Sequence, residues 1–286
     1  MSLETTGATV IPFGVGDSRH LITTILDLNI DAIHSTPSYP AVLEQTISDH
    51  FEDLSPRDLG LKIGIFGGEA GLDSESFRNK LEDTWGYAVR NSNYGMADVF
   101  SNFAGQCELS SELHFVGHDV LYAELICPNS ASIVPFEEGE TGELVLTHLK
   151  REAQPLVRFR TNDMVTITGT GLCKCGRTTP RFRVLGRSDD MIIVRGINVY
   201  PTAVRGVINS FSELSGEFRI RLRGAGPYDR IFVEAELATQ DSATVDLQER
   251  IENEIKQTVR ASAQVKLFPV RSFPRTEGKT KRVIRE

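Results

Sequence analysis

Gly186-Arg-Ser-Asp-Asp-Met-Ile-Ile-Val-Arg-Gly-Ile-Asn-Val-Tyr-Pro201 is the stretch on which the fold turns. A polar, turn-forming run abuts an apolar strand (Met191 to Val194), which then meets a glycine and a proline. Taken alone, it reads equally as an ordinary loop leading into a strand. The texture of the chain changes across it. Downstream come a helix after Pro201, strands near Phe218 to Leu222 and Ile231 to Leu237, and a long helix from Asp241 to about Val259. In that helix Leu247, Ile251, Ile255 and Val259 recur on one face. With a last strand at Gln264 to Phe268, this is a compact α+β unit. Upstream, from Gly105 to Ile167, short strands such as Val120 to Ile126 and Glu143 to Thr147 alternate with turn residues (Gly139, Gly142) and suggest a β-rich lobe. A boundary between two such textures is a natural place for a hinge between domains.

The first third alternates strand and helix. Gly7 to Phe13 is apolar and β-branched, a strand; Asp17 to Leu28 carries Leu21, Ile22, Ile25 and Leu28 at helical spacing. Asp31 to Ser35 is a short strand, and Thr36-Pro37 then signals a helix with Leu43 and Ile47 on one face. Leu61 to Phe66 is a further strand, Asp73 caps a helix through Trp85, and Tyr87 to Arg90 returns to strand. This βαβαβα order implies a parallel sheet flanked by helices, with ligands at the carboxyl ends of its strands.

Composition narrows the class. The chain has 286 residues, 40% of them hydrophobic and 24% charged, ordinary for a globular protein. Its net charge of −8 argues against broad nucleic-acid or membrane-surface binding. No run approaches the roughly 18 apolar residues of a membrane span, and the N-terminus lacks a secretory signal; a cytoplasmic protein is expected. Lys266 to Glu286 holds seven Lys or Arg against two acids, Glu277 and Glu286. Such a tail reads as a phosphate-facing segment or as a solvated, solubilising one.

Several segments carry chemistry in outline. Gly67-Gly68-Glu69 follows a strand, where glycines allow close ligand approach or simply make a tight turn. Tyr94-Gly95-Met96-Ala97-Asp98 sets an aromatic ring beside a carboxylate, fit to stack on a base and to hold Mg²⁺, though by spacing alone it is a loop. In Arg158-Phe-Arg-Thr-Asn-Asp163, a short carboxylate at a strand edge suits ribose hydroxyls and the arginines suit phosphate; an exposed ion-pair cluster reads equally well. Lys279, after a glycine in Pro274 to Arg282, is a mobile point charge suited to a developing phosphate charge.

The order of these segments resembles the adenylate-forming superfamily of acyl-CoA synthetases, luciferases and peptide-synthetase adenylation domains, closest to its phenylacetate-CoA ligase branch. GRSDDMIIVRGINVYP (Gly186 to Pro201) and PRTEGKTKR (Pro274 to Arg282) are the most specific pieces, with GELVLTHLKREAQPLVRFRTND (Gly142 to Asp163) in support. The resemblance implies an α/β fold: part of a large AMP-binding domain over 1–186 (βα region 1–104, β-rich lobe 105–186), a hinge at 187–190 and a small mobile α+β domain over 191–286. By the same resemblance Gly68 and Glu69 flank adenine, Tyr94 stacks on it beside Gly95, and Asp98 contacts Mg²⁺. Asp163 takes the ribose hydroxyls with Arg187 nearby, Asp189 is the hinge, Gly196 lines the pantetheine tunnel, and Lys279 is the catalytic lysine. The implied activity is ATP-dependent ligation of a small aryl or aryl-alkyl carboxylic acid to CoA through an acyl-adenylate, releasing AMP and pyrophosphate.

Two departures qualify that expectation. The family's Ser/Thr/Gly-rich phosphate loop has no counterpart, since Phe13 to Ser18 is too short and lacks its threonines and lysine; a fragment, a truncated product or one half of a split enzyme is expected, partnered by a separate N-terminal half or as a homodimer. Asp98 also stands where the family usually has glutamate. Rival readings are adenylyl transfer to another acceptor, such as a deazaflavin coenzyme, and a non-catalytic nucleotide-binding partner subunit. Finally, the four cysteines are too few and irregular for a secreted disulfide framework. Cys173 and Cys175, with Cys107 and His114 from the same β-rich region, form a candidate structural Cys₃His zinc site or a set of reduced thiols.

Overall fold

A computed structural model describes residues 3–286 apart from 15, 70, 225, 227 and 275–281. Its N-terminal part is a layer of helices on short parallel strands: α1 (Ser18–Leu28), β1 (Ala32–Ser35), α2 (Tyr39–His50), β2 (Ile63–Gly67), α3 (Glu75–Trp85) and β3 (Ala88–Met96). β1, β2 and β3 pair in parallel. Asp17 caps α1 by accepting from the His20 amide at 2.8 Å, and Ile22 and Ile25 face inward. α2 buries Leu43 and Ile47, as its spacing predicts. These helices close over Phe66, Trp85 and Tyr87, a core separate from the one that follows.

Beyond β3 the same sheet continues antiparallel. Its further strands are β4 (Phe100–Cys107), β5 (Ser110–Phe115), β6 (Leu121–Ile126), β7 (Ile133–Val134), β8 (Thr141–His148), β9 (Phe159–Gly169) and β10 (Arg181–Arg187). The spatial order is β1-β2-β3-β4-β5-β10-β9-β8-β6-β7. The parallel region and the β-rich region therefore share one ten-stranded sheet, and β3 is the strand that changes partner type. A second apolar core, around Phe103, Leu146, Val165 and Phe182, lies on the antiparallel part.

The C-terminal part begins with a two-residue hairpin, β11 (Ile192–Val194) and β12 (Ile197–Val199). Arg195 and Gly196 at its tip have φ of 47° and 81°, the positive pair that such tight hairpins need. Then come α4 (Pro201–Ser210), β13 (Leu214–Leu222), β14 (Ile231–Leu237), α5 (Leu247–Thr258), β15 (Ala263–Phe268) and β16 (Val283–Arg285), the strands ordered β15-β14-β13-β16. Leu247, Ile251, Ile255 and Val259 are all buried in a third core, the one the helical spacing points to.

Some expectations are corrected. Ala8 to Phe13 is not a strand; it is irregular and mostly exposed, because β-branched composition makes no strand without a neighbouring ladder. α5 starts at Leu247 rather than near Asp241: residues 240–242 form a separate 3₁₀ turn and Val245 is fully exposed. Tyr94 and Gly95 lie within β3, not in a loop after it. Gly95 meets a packing demand there, since a Cβ would fall 2.2 Å from the Ser101 carbonyl oxygen on β4. Ser74, not Asp73, caps α3, its hydroxyl accepting from the Phe77 amide at 3.4 Å. Asp73 is largely buried, and burial pushes its carboxyl up to about 6 against the pull of Arg183 and Arg78.

Two outcomes follow for stability. Gly95→Ala is expected to lower urea-unfolding stability by about 1–3 kcal/mol, because backbone atoms must move. Gly105→Ala, whose Cβ would sit 3.1 Å from the Ser92 carbonyl oxygen, is expected to cost less; equal effects would contradict the close-approach argument. For Asp73 the folded pKa lies above the free value of 3.8, so ionisation is penalised in the fold. The penalty is absent below pH 3.8, grows through about 6 and is complete above it. Asp73→Asn is expected to gain on the order of 2 kcal/mol at pH 7 and nothing at pH 3.5, read from urea midpoints across pH.

Candidate functional site

The polar centre is built on β9 and β10, whose register sets Asp163 opposite Arg187. Thr161 is buried; its hydroxyl donates to the Leu144 carbonyl at 2.7 Å and accepts from the Asp163 amide at 3.0 Å, which fixes the carboxylate-bearing stretch of β9. Tyr94 reaches across from β3 and donates to Asp163 Oδ2 at 2.7 Å. Its ring is held edge-on by Phe103 and Phe182, at centroid distances of 5.1 and 5.5 Å. Burial, then the neighbouring Asp163 charge, pushes the Tyr94 phenol well above its ordinary range, so it remains a donor.

Arg187 completes the run. Its Nη1 stands 3.7 Å from Asp163 Oδ1, while Nε and Nη2 donate to both oxygens of Asp189 at 2.8 and 2.7 Å. That two-point bond holds the Asp189 carboxyl below the ordinary carboxylate range. Tyr94, Asp163, Arg187 and Asp189 thus form one continuous polar chain from β3 to the first residues after β10. Chemically, it offers a fixed carboxylate, a phenol donor and a guanidinium side by side, groups suited to a diol and to phosphate. The other two arginines are committed elsewhere, which corrects the phosphate reading for them. Arg158 pairs with Glu124 at 3.2 Å, and Arg160 pairs with the fully buried Glu143.

Glu69, in the turn after β2, is held from two sides. Ser38 donates to its Oε1 at 3.0 Å, and Arg205 Nη1 from α4 lies 3.9 Å from Oε2. Both side chains of that ion pair are nearly buried, at 6% and 12% exposure, and it joins the βα layer to the C-terminal part. Lys80 on α3 adds a bond to the Leu214 carbonyl at 2.9 Å, and Arg271 pairs with Asp49 of α2 at 2.9 Å. Thr202 donates to the Leu185 carbonyl across the same junction. Gly68, with φ of 80°, makes the turn that Glu69 leaves. Asp98 is exposed in the turn between β3 and β4, where its carbonyl accepts from Arg151 at 2.7 Å, and Gly196 lies at the β11–β12 tip. Lys279 lies outside the described residues.

Sequence reasoning missed Thr161, Ser38 and Arg205. Thr161 and Ser38 have no signal of their own, because their roles depend on which carbonyl or carboxylate folding brings near. Arg205 has one: it is a cation between Val204 and Val207, both buried, and the one charged residue of its helix. At the far end of the β4–β5 and β9–β10 hairpins, the ligand atoms of Cys107, His114, Cys173 and Cys175 all lie within 4.8 Å of one another. No described helix is long and apolar enough to cross a membrane.

Comparison with known proteins assigns this geometry to a class. The profile of the AMP-binding enzyme C-terminal domain matches residues 196–286. Phenylacetate-coenzyme A ligase of Thermus thermophilus is 31% identical over 98% of this chain and 66% of its own length. That of Escherichia coli is 32% identical over 98% of this chain and 63% of its own. Among solved structures, 2-hydroxyisobutyryl-CoA ligase with its acyl-adenylate in the postadenylation state superposes with a TM-score of 0.84 at 28% identity, over 96% of this chain and 58% of that one. The fold is that of the adenylate-forming CoA ligases. The chain belongs to the adenylate-forming, AMP-binding superfamily, in its phenylacetate-CoA ligase-like branch. It spans between 62% and 66% of the length of the curated relatives it matches.

The same 2-hydroxyisobutyryl-CoA ligase in its thioesterification state, with acyl-adenylate and CoA, covers the same 96% of this chain at a TM-score of 0.55. Equal coverage with unequal score means that the two parts are arranged as in the postadenylation form. The Glu69–Arg205 pair belongs to that arrangement. Arg205→Met is expected to cost about 3 kcal/mol in urea unfolding, because it strands a buried carboxylate. Combined with Glu69→Gln it is expected to cost less than the sum of the single changes, by about 1 kcal/mol or more. Strict additivity would mean the two side chains do not interact.

Proposed function

We propose that the chain acts in ATP-dependent ligation of a small aryl or aryl-alkyl carboxylic acid to CoA. The observation that carries this reading is the Tyr94–Asp163–Arg187–Asp189 chain, set in a chain about 31% identical to phenylacetate-CoA ligases. In this reading Asp163 accepts the ribose hydroxyls, Tyr94 lies against adenine while its hydroxyl keeps Asp163 oriented, and Arg187 faces the ribose or α-phosphate. Gly68, Glu69 and Gly95 border the base. Asp98 reaches Mg²⁺, which supplies charge neutralisation at the phosphates when bound.

Chemistry proceeds in two steps. The acid's carboxylate oxygen attacks the α-phosphorus of ATP and the bond to pyrophosphate breaks, with Lys279 stabilising the developing negative charge. The CoA thiol, losing its proton, then attacks the acyl carbon and the bond to AMP breaks. One site serves both steps if residues 191–286 turn about a hinge at 187–190, withdrawing Lys279 and bringing Gly196 toward the pantetheine arm. Asp189, as the hinge residue, would have to give up its two-point bond with Arg187 or carry it through the turn.

The test follows AMP and pyrophosphate release from the purified chain with ATP, Mg²⁺, CoA and a panel of aryl acids. Release that needs both acid and CoA, and falls by roughly a hundredfold or more in Lys279→Ala, is expected. AMP release indifferent to CoA would shift the acceptor to another nucleophile, and release unaffected by Lys279→Ala would overturn the assigned chemistry.

A further inference from the structure

Three of the four cysteines of the chain meet one histidine at a single point, and nothing in the nucleotide chemistry uses them. Cys107 ends β4, His114 lies on β5, and Cys173 and Cys175 sit in the connection between β9 and β10. β5 and β10 are neighbours, with His114 in register with Arg181, so the sheet itself brings the two hairpin ends together. Cys107, Cys173 and His114 are buried, yet neither cysteine is a member of the three apolar cores. All four cysteines are free thiols.

We propose that Cys107, His114, Cys173 and Cys175 bind one zinc ion in a closed, four-coordinate structural site. The dimensions fit. With Zn–S near 2.3 Å and Zn–N near 2.0–2.1 Å, a tetrahedron puts sulfur and nitrogen about 3.6 Å apart. Cys175 Sγ stands 3.7 Å from His114 Nε2, and all four ligand atoms fall within 4.8 Å of each other. The histidine is already presented as a ligand: its other nitrogen, Nδ1, lies 3.2 Å from the Thr179 hydroxyl, which leaves Nε2 facing the sulfurs.

The connection is shaped as a ligand-bearing turn. The Cys173 amide donates to the Arg177 carbonyl at 2.8 Å and the Gly176 amide to the Cys173 carbonyl at 2.9 Å. Gly176, at φ of 88°, closes the turn where a side chain would be strained. This bend lets a C-x-C pair, tighter than the usual C-x₂-C, point both sulfurs inward. Charge is balanced as well: three thiolates and Zn²⁺ leave one negative charge, and Arg177 donates to Cys175 Sγ at 3.4 Å.

Hard oxygen-seeking cations are excluded by the donor set, and four protein ligands leave no open position for catalysis. The ion would pin the β4–β5 and β9–β10 hairpins together at the end of the sheet whose other end carries Asp163 and Arg187. This assignment does not depend on the ligase reading.

The test uses the whole chain, free of any affinity tag and dialysed without chelator, with zinc measured by elemental analysis. About one zinc per chain is expected, falling to near zero in Cys173→Ser and Cys175→Ser and unchanged in Cys127→Ser, whose thiol lies outside the cluster. Because a ligand variant can fail to fold, the unmodified protein is also titrated with a mercurial thiol reagent beside a zinc indicator. Zinc release in step with thiol modification supports the site, as does a visible ligand-field spectrum of tetrahedral, thiolate-bound cobalt(II) after exchange. Zinc far below stoichiometry in the unmodified protein, with the three thiols reduced or paired in a disulfide, would overturn it. Zinc retained equally by Cys175→Ser and Cys127→Ser would overturn it too.

Discussion

The register of β9 against β10 is the constraint on which the rest depends. It places Asp163 opposite Arg187, and everything polar in the site hangs from those two positions: Tyr94 on one side, Asp189 on the other. The register is itself irregular, shifting between Val184 and Gly186. A bulge of that kind re-aims a side chain just before the sheet ends. Asn162, at φ of 60°, and the Ser188 amide bonded to its carbonyl at 2.7 Å mark the same departure. The site therefore sits where β10 stops pairing with β9, and Arg187 is the last residue before the chain leaves the large sheet.

That position links the site to the arrangement of the two parts. Arg187 bonds Asp189 within the connecting segment, while Glu69–Arg205 and Lys80–Leu214 fasten the C-terminal part to the helices of the first. These contacts are polar, unlike the three apolar cores, each of which closes within its own part of the chain. Polar contacts of this kind can be exchanged for others at little net cost, whereas an apolar core cannot be opened so easily.

Much of this was legible in the sequence, where local pattern decides the outcome. The four-residue apolar spacing of α5 and the alternating run of β14 each bury against their own part of the chain, and β14 spans the residues expected of it. What was not legible depends on distant partners. Ala8 to Phe13 has strand composition but no ladder, whereas Tyr94 and Gly95 look like a loop and are strand because β4 folds back on them. β16, three residues paired to β13, has no local signal. In the site, Asp163, Arg187 and Asp189 are visible as a pattern, but the bond from Tyr94 to Asp163 joins residues 69 positions apart and only the fold reveals it.

The central claim, that Asp163 is the anchor of a nucleotide seat, is most directly tested by calorimetric titration of AMP into the unmodified chain and into Asp163→Asn. The substitution keeps the shape but removes the charge proposed to accept both hydroxyls. A loss of affinity of about tenfold or more, with thermal stability little changed, is the result this account requires, since a charge-assisted bond is worth about 1.5–3 kcal/mol. Equal AMP affinity in both proteins would contradict it and move the nucleotide away from the Tyr94–Asp163–Arg187 chain.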